Sequence, residues 1–373
     1  MRYLLAIACL VGLAPSVSAQ SLTIDIDVSQ AKRLLEIACS GAVIDEEEWT
    51  NLKPLQAQLA HHSQFGERFN FDNYIVGLNH LSQCKVPSSD PFRFAALVER
   101  QADMRMAIEY LSRNRDRLNA RVTELLQPYV PPGFDFEGKV VLAGASFSCG
   151  GFQNSGVFFV DIPCLAADID GEYDAISRLI AHETYHAMQN DFANPQSPDL
   201  ELVRSVDSAH DFMFERLAIE GTASHIGDMR EIDGDGRYAN FSRSLARRNY
   251  RHLEYNFQLF DYMIEAIGTQ PAEIEHRFPD IYGLAFDGSF GEHSYFVGQQ
   301  MAAEIEHDFG AQAIPCLLKL PFENFLLAYD YALQDGSNLK KSSAFSDATL
   351  KVAADRKKAR QSEHDFQPCI GAS

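Results

Sequence analysis

Residues 178–189 read RLIAHETYHAMQ, two histidines four apart with a glutamate directly behind the first. No other stretch restricts the fold as much. On an α-helix, residues four apart project from one face, about 40° from each other around the axis. Leu179, Ile180, Ala181, Thr184, Tyr185, Ala187 and Met188 are all uncharged. A helix clothed this way belongs inside a core, because a charge there would need its own buried partner. Two imidazoles at this spacing reach a single metal ion at about 2.0–2.1 Å. Glu183 lies about 100° further round, where it can address a water rather than the ion. Chance alone yields H-E-x-x-H in about one chain in a hundred of this length, so the spacing by itself does not decide. The competing reading is a core helix carrying two hydrogen-bonded histidines.

A catalytic zinc needs a third protein ligand and an open position. Downstream lies FERLAIEGTASHIGD, where Glu220 is followed by the small residues Gly221 and Ala223 that let two helices approach closely. Glu220 is the preferred third ligand, with Glu215, His210, His225, Asp191 and Asp207 as competitors. HETYH followed by AIEGTASH resembles the glutamate-zincin group of metallopeptidases. The 33 residues between His186 and Glu220 exceed the spacing of its thermolysin-like members. GEHSYFVGQQMAAEIEHDFG resembles the C-terminal helices of uncharacterised bacterial zinc-dependent peptidases, matched at Tyr295, Gly298, Met301 and Ala302. The resemblance spans about residues 135–335, with a weaker helical echo before it. It implies Zn2+ on His182, His186 and Glu220, and a peptide or protein substrate. Glu183 is then the general base for a zinc-activated water, and Tyr295 or His293 the donor to the developing oxyanion. The strand GVFFVDI either pairs with an extended peptide or sits inside the sheet. Two other classes stay open. One is a zinc hydrolase of a non-peptide amide or ester. The other is a non-catalytic binding protein on a zincin scaffold, against which the intact Glu183 counts.

The first 21 residues, MRYLLAIACLVGLAPSVSAQS, carry Arg2, an apolar run over 3–13 and the small residues Val17, Ser18 and Ala19. This is the layout of a signal peptide over 1–19, so the chain is expected to be exported, periplasmic or secreted. About eleven apolar residues cannot span roughly 30 Å of hydrocarbon, so no stable membrane insertion is expected after its removal. Beyond Cys9, six widely spaced cysteines remain, and in an oxidising compartment they read as disulfides. The expected pairing is sequence-local: Cys39–Cys84, Cys149–Cys164 and Cys316–Cys369. A formal charge of −20 argues against nucleic acid and anionic lipid as partners.

The expected fold is α+β and predominantly helical. A helical subdomain over 20–134 precedes a zincin-like catalytic domain over 135–335, and 336–373 reads as a surface tail. The run over 92–126 repeats apolar residues at three and four and predicts helix broken near 113–115. Pro128, Pro131, Pro132 and Gly133 close it. KVVLAGASF and GVFFVDIPCL, parted by a glycine-rich link, predict a short antiparallel hairpin ahead of the histidine helix. Further helices are expected over 207–229, 241–267, 292–309 and 312–333. Two acidic turns, 168–174 and 231–236, lack the spacing of a calcium loop and read as solvated. The basic run RSLARRNYRH over 243–252 reads as the wet face of a helix.

Overall fold

The computed structural model describes residues 22–63, 66–146, 151–154, 157–193, 200–335, 343–360 and 365–371. The expected signal peptide therefore lies outside the described residues, as does Cys149 of the third expected disulfide. Cys39–Cys84 and Cys316–Cys369 are both formed. Among the described residues, no helix is long and apolar enough to cross a membrane.

The protein is predominantly helical around one small mixed sheet. Its strands are β1 (Leu22–Asp27), β2 (Phe136–Ala143), β3 (Gly151–Asn154) and β4 (Val157–Asp161), in the order β1-β2-β4-β3. The hairpin expected between KVVLAGASF and GVFFVDIPCL does not form. Those two segments pair in parallel, Val140 opposite Phe158 and Leu142 opposite Val160, while the antiparallel partner of β4 is β3. The short β3, formed by residues expected to be linker, makes the return that a parallel pair requires. β1 is an element the helical reading of the N-terminus passes over. Its alternation LTIDID buries Ile24 and Ile26 on one face and pairs in parallel with β2. β4 lies between β2 and β3, so GVFFVDI is an interior strand, and β1 and β3 form the two sheet edges.

The histidine helix, Tyr173–Phe192, runs across this sheet. Ile176, Ile180, Ala181, Thr184, Tyr185 and Met188 are fully buried around its circumference. Such all-round burial requires cover on every side. The sheet gives one side, the helix Arg115–Leu126 another, and the glutamate helix, Val206–Ile226, a third. The single break expected near 113–115 falls at Asn114, between helices Gln101–Arg113 and Arg115–Leu126, but the run is also broken at Arg100, between Phe94–Glu99 and Gln101–Arg113. The tyrosine helix, His293–Phe309, packs along the glutamate helix. One hydrophobic cluster extends from Ile24 to Ile370.

Two close approaches set the geometry around the site. A side chain on Gly221 would collide with the backbone of Gly298, and one on Gly298 with the Leu217 carbonyl, so these helices touch backbone to backbone. The two acidic turns, expected to be solvated separately, dock on each other. Gly236 N–H donates to Gly171 O (3.2 Å) and Asp233 N–H to the Asp174 carboxylate (3.0 Å). The Glu172 carboxylate accepts from Tyr238 N–H (2.6 Å) and Ala239 N–H (2.8 Å), capping the arginine helix Arg237–Arg251. At its other end, Asn249 donates to the Gly291 carbonyl (3.2 Å). The basic run expected as a wet face is thereby fixed at both ends.

Candidate metal centre

His182 and His186 leave the histidine helix one turn apart and face Glu220 on the glutamate helix. His186 Nε2 is 3.0 Å from His182 Nε2 and 3.1 Å from Glu220 Oε2, and His182 Nε2 is 3.9 Å from the same oxygen. Among the described residues these three form a group able to hold a metal ion. Ligands bound tetrahedrally at 2.0–2.1 Å stand about 3.3–3.4 Å from one another, which matches the mean of the three separations. Two nitrogens and one oxygen suit zinc and leave one tetrahedral position for a reactant.

The imidazoles are held from behind. His186 Nδ1 donates to Gln189 Oε1 at 2.8 Å. Gln189 turns that oxygen inward because its amide nitrogen donates to the Ile219 carbonyl (3.0 Å) and to Thr222 Oγ1 (2.8 Å). With Nδ1 held as the donor, Nε2 is the nitrogen left to bind an ion once the ring gives up its second proton. The His182 ring donates to the Ala223 carbonyl. Gly227 lets the end of the glutamate helix close on His182, since a side chain there would sit 2.7 Å from Arg178 O and 3.0 Å from His182 Cβ. Sequence reasoning missed Gln189. Its signal was visible: it lies three residues after His186 and seven after His182, on the same helical face.

Burial and charge set the protonation of the group. Burial alone would lower His186, but the adjacent Glu220 carboxylate outweighs it and raises the imidazole to about 9. Burial would raise Glu220, and His186 brings it down to about 2 instead. His182, buried and beside His186, falls to about 3. Burial pushes Glu183 up to about 7, against the pull of His186. Gly151 at the start of β3 makes room for that carboxylate, because a side chain there would meet Glu183 Oε1 at 2.7 Å.

A cavity of about 1240 Å³ opens beside the centre, its lining including His182, Glu183, Tyr238, Glu292, His293 and Tyr295. Burial raises the Tyr238 hydroxyl to about 12 and Tyr295 well above the ordinary range, so both stay protonated hydrogen-bond donors at neutral pH. Tyr295 feels the charge of Glu220 and Glu183, and Tyr238 that of Glu183. His293 is buried, lowered by burial, and bonded to the Phe290 backbone, while its Nε2 has no partner. A neutral ring donating on one side offers an acceptor on the other. Tyr238 is a second residue that sequence reasoning missed. The turn-to-turn docking that carries it into the cavity leaves no local pattern.

The competing ligands are engaged elsewhere. His210 bonds the Ile264 carbonyl (3.1 Å), and His225 pairs with Glu306 and Tyr129. Asp207 pairs with Arg356, and Asp191 and Glu215 lie outside the metal-capable group.

No curated protein and no solved structure matches the chain significantly. One family does, and its profile starts earlier than the resemblance read from the motifs, taking in the helices ahead of the sheet. The profile covers residues 72–336, and the chain belongs to that family, described as "Putative zinc dependent peptidase (DUF5700)".

Proposed function

We propose that the protein is an exported zinc-dependent peptidase of the glutamate-zincin type. The observation that carries this reading is the convergence of His182, His186 and Glu220 beside a cavity lined by His182 and Glu183. His182, His186 and Glu220 would hold the ion. Zinc bound there supplies Lewis acidity, polarising a carbonyl and making water a nucleophile near neutral pH. Glu183, raised to about 7 by burial, takes a proton from water and returns it to the departing amine. Tyr295, held protonated, donates to the oxygen on which negative charge develops, and Tyr238 faces the same space from the arginine helix. The β3 edge, which brings Gly151 against Glu183, is where an extended substrate backbone would pair. Two disulfides in the described residues accord with an oxidising compartment.

The test is metal content together with digestion of a peptide library, wild type against Glu183→Gln. The expected outcome is one zinc per chain in both proteins, with peptide cleavage reduced about 10²–10⁴-fold in the variant. Cleavage of esters without peptides would move the assignment to a different hydrolase. Absence of bound zinc at neutral pH would overturn it.

A further inference from the structure

The basic run of the arginine helix is part of the cavity wall. Arg248 and Arg251 line the same space as His182 and Glu183. The 291 position is glycine, with φ +92°, and a side chain there would stand 3.3 Å from the Arg248 guanidinium. The loop thus leaves that guanidinium room beside the cavity.

The chain has 52 acidic residues against 32 basic ones, and arginines such as Arg33, Arg121, Arg178, Arg356 and Arg360 meet carboxylates. Among the described residues, Arg248 and Arg251 form no ion pair, although both are exposed. Glu292, next to Gly291, lies close enough to Glu220 and Asp287 to feel their charge, and Tyr238 feels both Glu292 and Glu183. The cavity thus carries two arginines as well as the carboxylates of Glu183 and Glu292, and in its lining Phe241 and Phe290 stay 64% and 60% exposed, apolar surface that a peptide could cover.

We infer that this cavity selects acidic peptides, with Arg248 and Arg251 gripping a substrate carboxylate while Phe241 and Phe290 cover its apolar neighbours. A guanidinium fork binds a carboxylate through paired charge-assisted hydrogen bonds, which combine affinity with a fixed orientation. The fixed ends of the arginine helix hold that fork at a set distance from the metal centre. The carboxylate belongs either to a glutamate or aspartate side chain or to the substrate's own C-terminus. The inference rests on the peptidase reading for the cut, but not for the grip.

The experiment separates the two. Glutamate-containing peptides and their glutamine counterparts, each with free or amidated C-termini, are titrated by fluorescence anisotropy against the zinc-loaded Glu183→Gln protein. They are also digested by the wild type. Expected is about tenfold tighter binding of the charged member, lost on Arg248→Gln/Arg251→Gln and weakened by salt. A preference following the side chain assigns the grip to acidic residues; one following the free C-terminus assigns it to the terminal carboxylate. Reversal by Arg248→Glu/Arg251→Glu, with lysine peptides now preferred, would complete the case, and unchanged melting of both variants shows that the fold is intact. Equal binding of charged and neutral peptides overturns the inference while leaving cleavage untouched. Selective binding without cleavage by the wild type retains the inference and removes the peptidase reading.

Discussion

At the scale of single residues, the centre depends on side chains that would hold its ligands without meeting the ion. Gln189 fixes the His186 tautomer from behind, and its amide is itself held by Ile219 and Thr222. Gln189→Leu should lower zinc affinity about 10–100-fold with little change in fold, measured by competition with a chelating dye. Protonation supplies a second residue-scale prediction. With His186 raised to about 9 in the metal-free protein, a proton occupies the nitrogen that zinc must take. Zinc uptake therefore releases that proton, and affinity should climb about tenfold per pH unit between pH 7 and 9 and then level off. Glu220, lowered to about 2, is already ionised across this window and adds no slope. A flat profile would show that His186 is not the group displaced.

At the scale of elements, the contact between the glutamate and tyrosine helices places Tyr295 near Glu220. Gly221 follows Glu220 directly, and Gly298 lies one turn after Tyr295, so the crossing point sits beside both side chains. This gives a physical reason for the Y-x-x-G spacing noted in the sequence. Gly298→Ala should destabilise the protein by roughly 1–3 kcal/mol through overpacking and lower peptide cleavage as the helices part. Thermal melting and a rate measurement check the two effects separately. The C-terminal segment is another element whose setting is tertiary. Phe345 packs on Phe257, Phe260 and Tyr329, while Arg356 bonds Asp211 (2.7 Å) and the Cys316–Cys369 bridge closes the end. Polar composition from residue 335 onward conceals these few anchors.

At the scale of the whole molecule, three donors from two helices face one another inside a shared core. Metal that binds this folded arrangement and not the unfolded chain must stabilise it. Removing zinc with a chelator should lower the melting temperature by about 3 °C relative to protein at a hundredfold excess of metal over its Kd. An unchanged melt would mean that the folded site does not bind the ion. The same scale governs charge. A molecule at −20 repels acidic peptides at a distance, so an arginine-lined cavity acts only at close range, where the guanidinium groups outweigh the screened field of the surface.

The sequence by itself determined what local pattern can carry. The mostly apolar helix segment with histidines four apart, the mostly helical α+β class, the break at Asn114 and the pairings Cys39–Cys84 and Cys316–Cys369 all rest on spacing or composition along the chain. Only the tertiary structure decided the pairing of β1, β2 and β4 in parallel, because strand direction is set by what covers the sheet. It also brought Glu220 within 3.1 Å of His186, docked the two acidic turns, and turned a basic helix face from solvent into a cavity wall. Each of those joins residues tens of positions apart through contacts between elements. Local periodicity fixes which face of a helix is polar; it leaves open what that face meets.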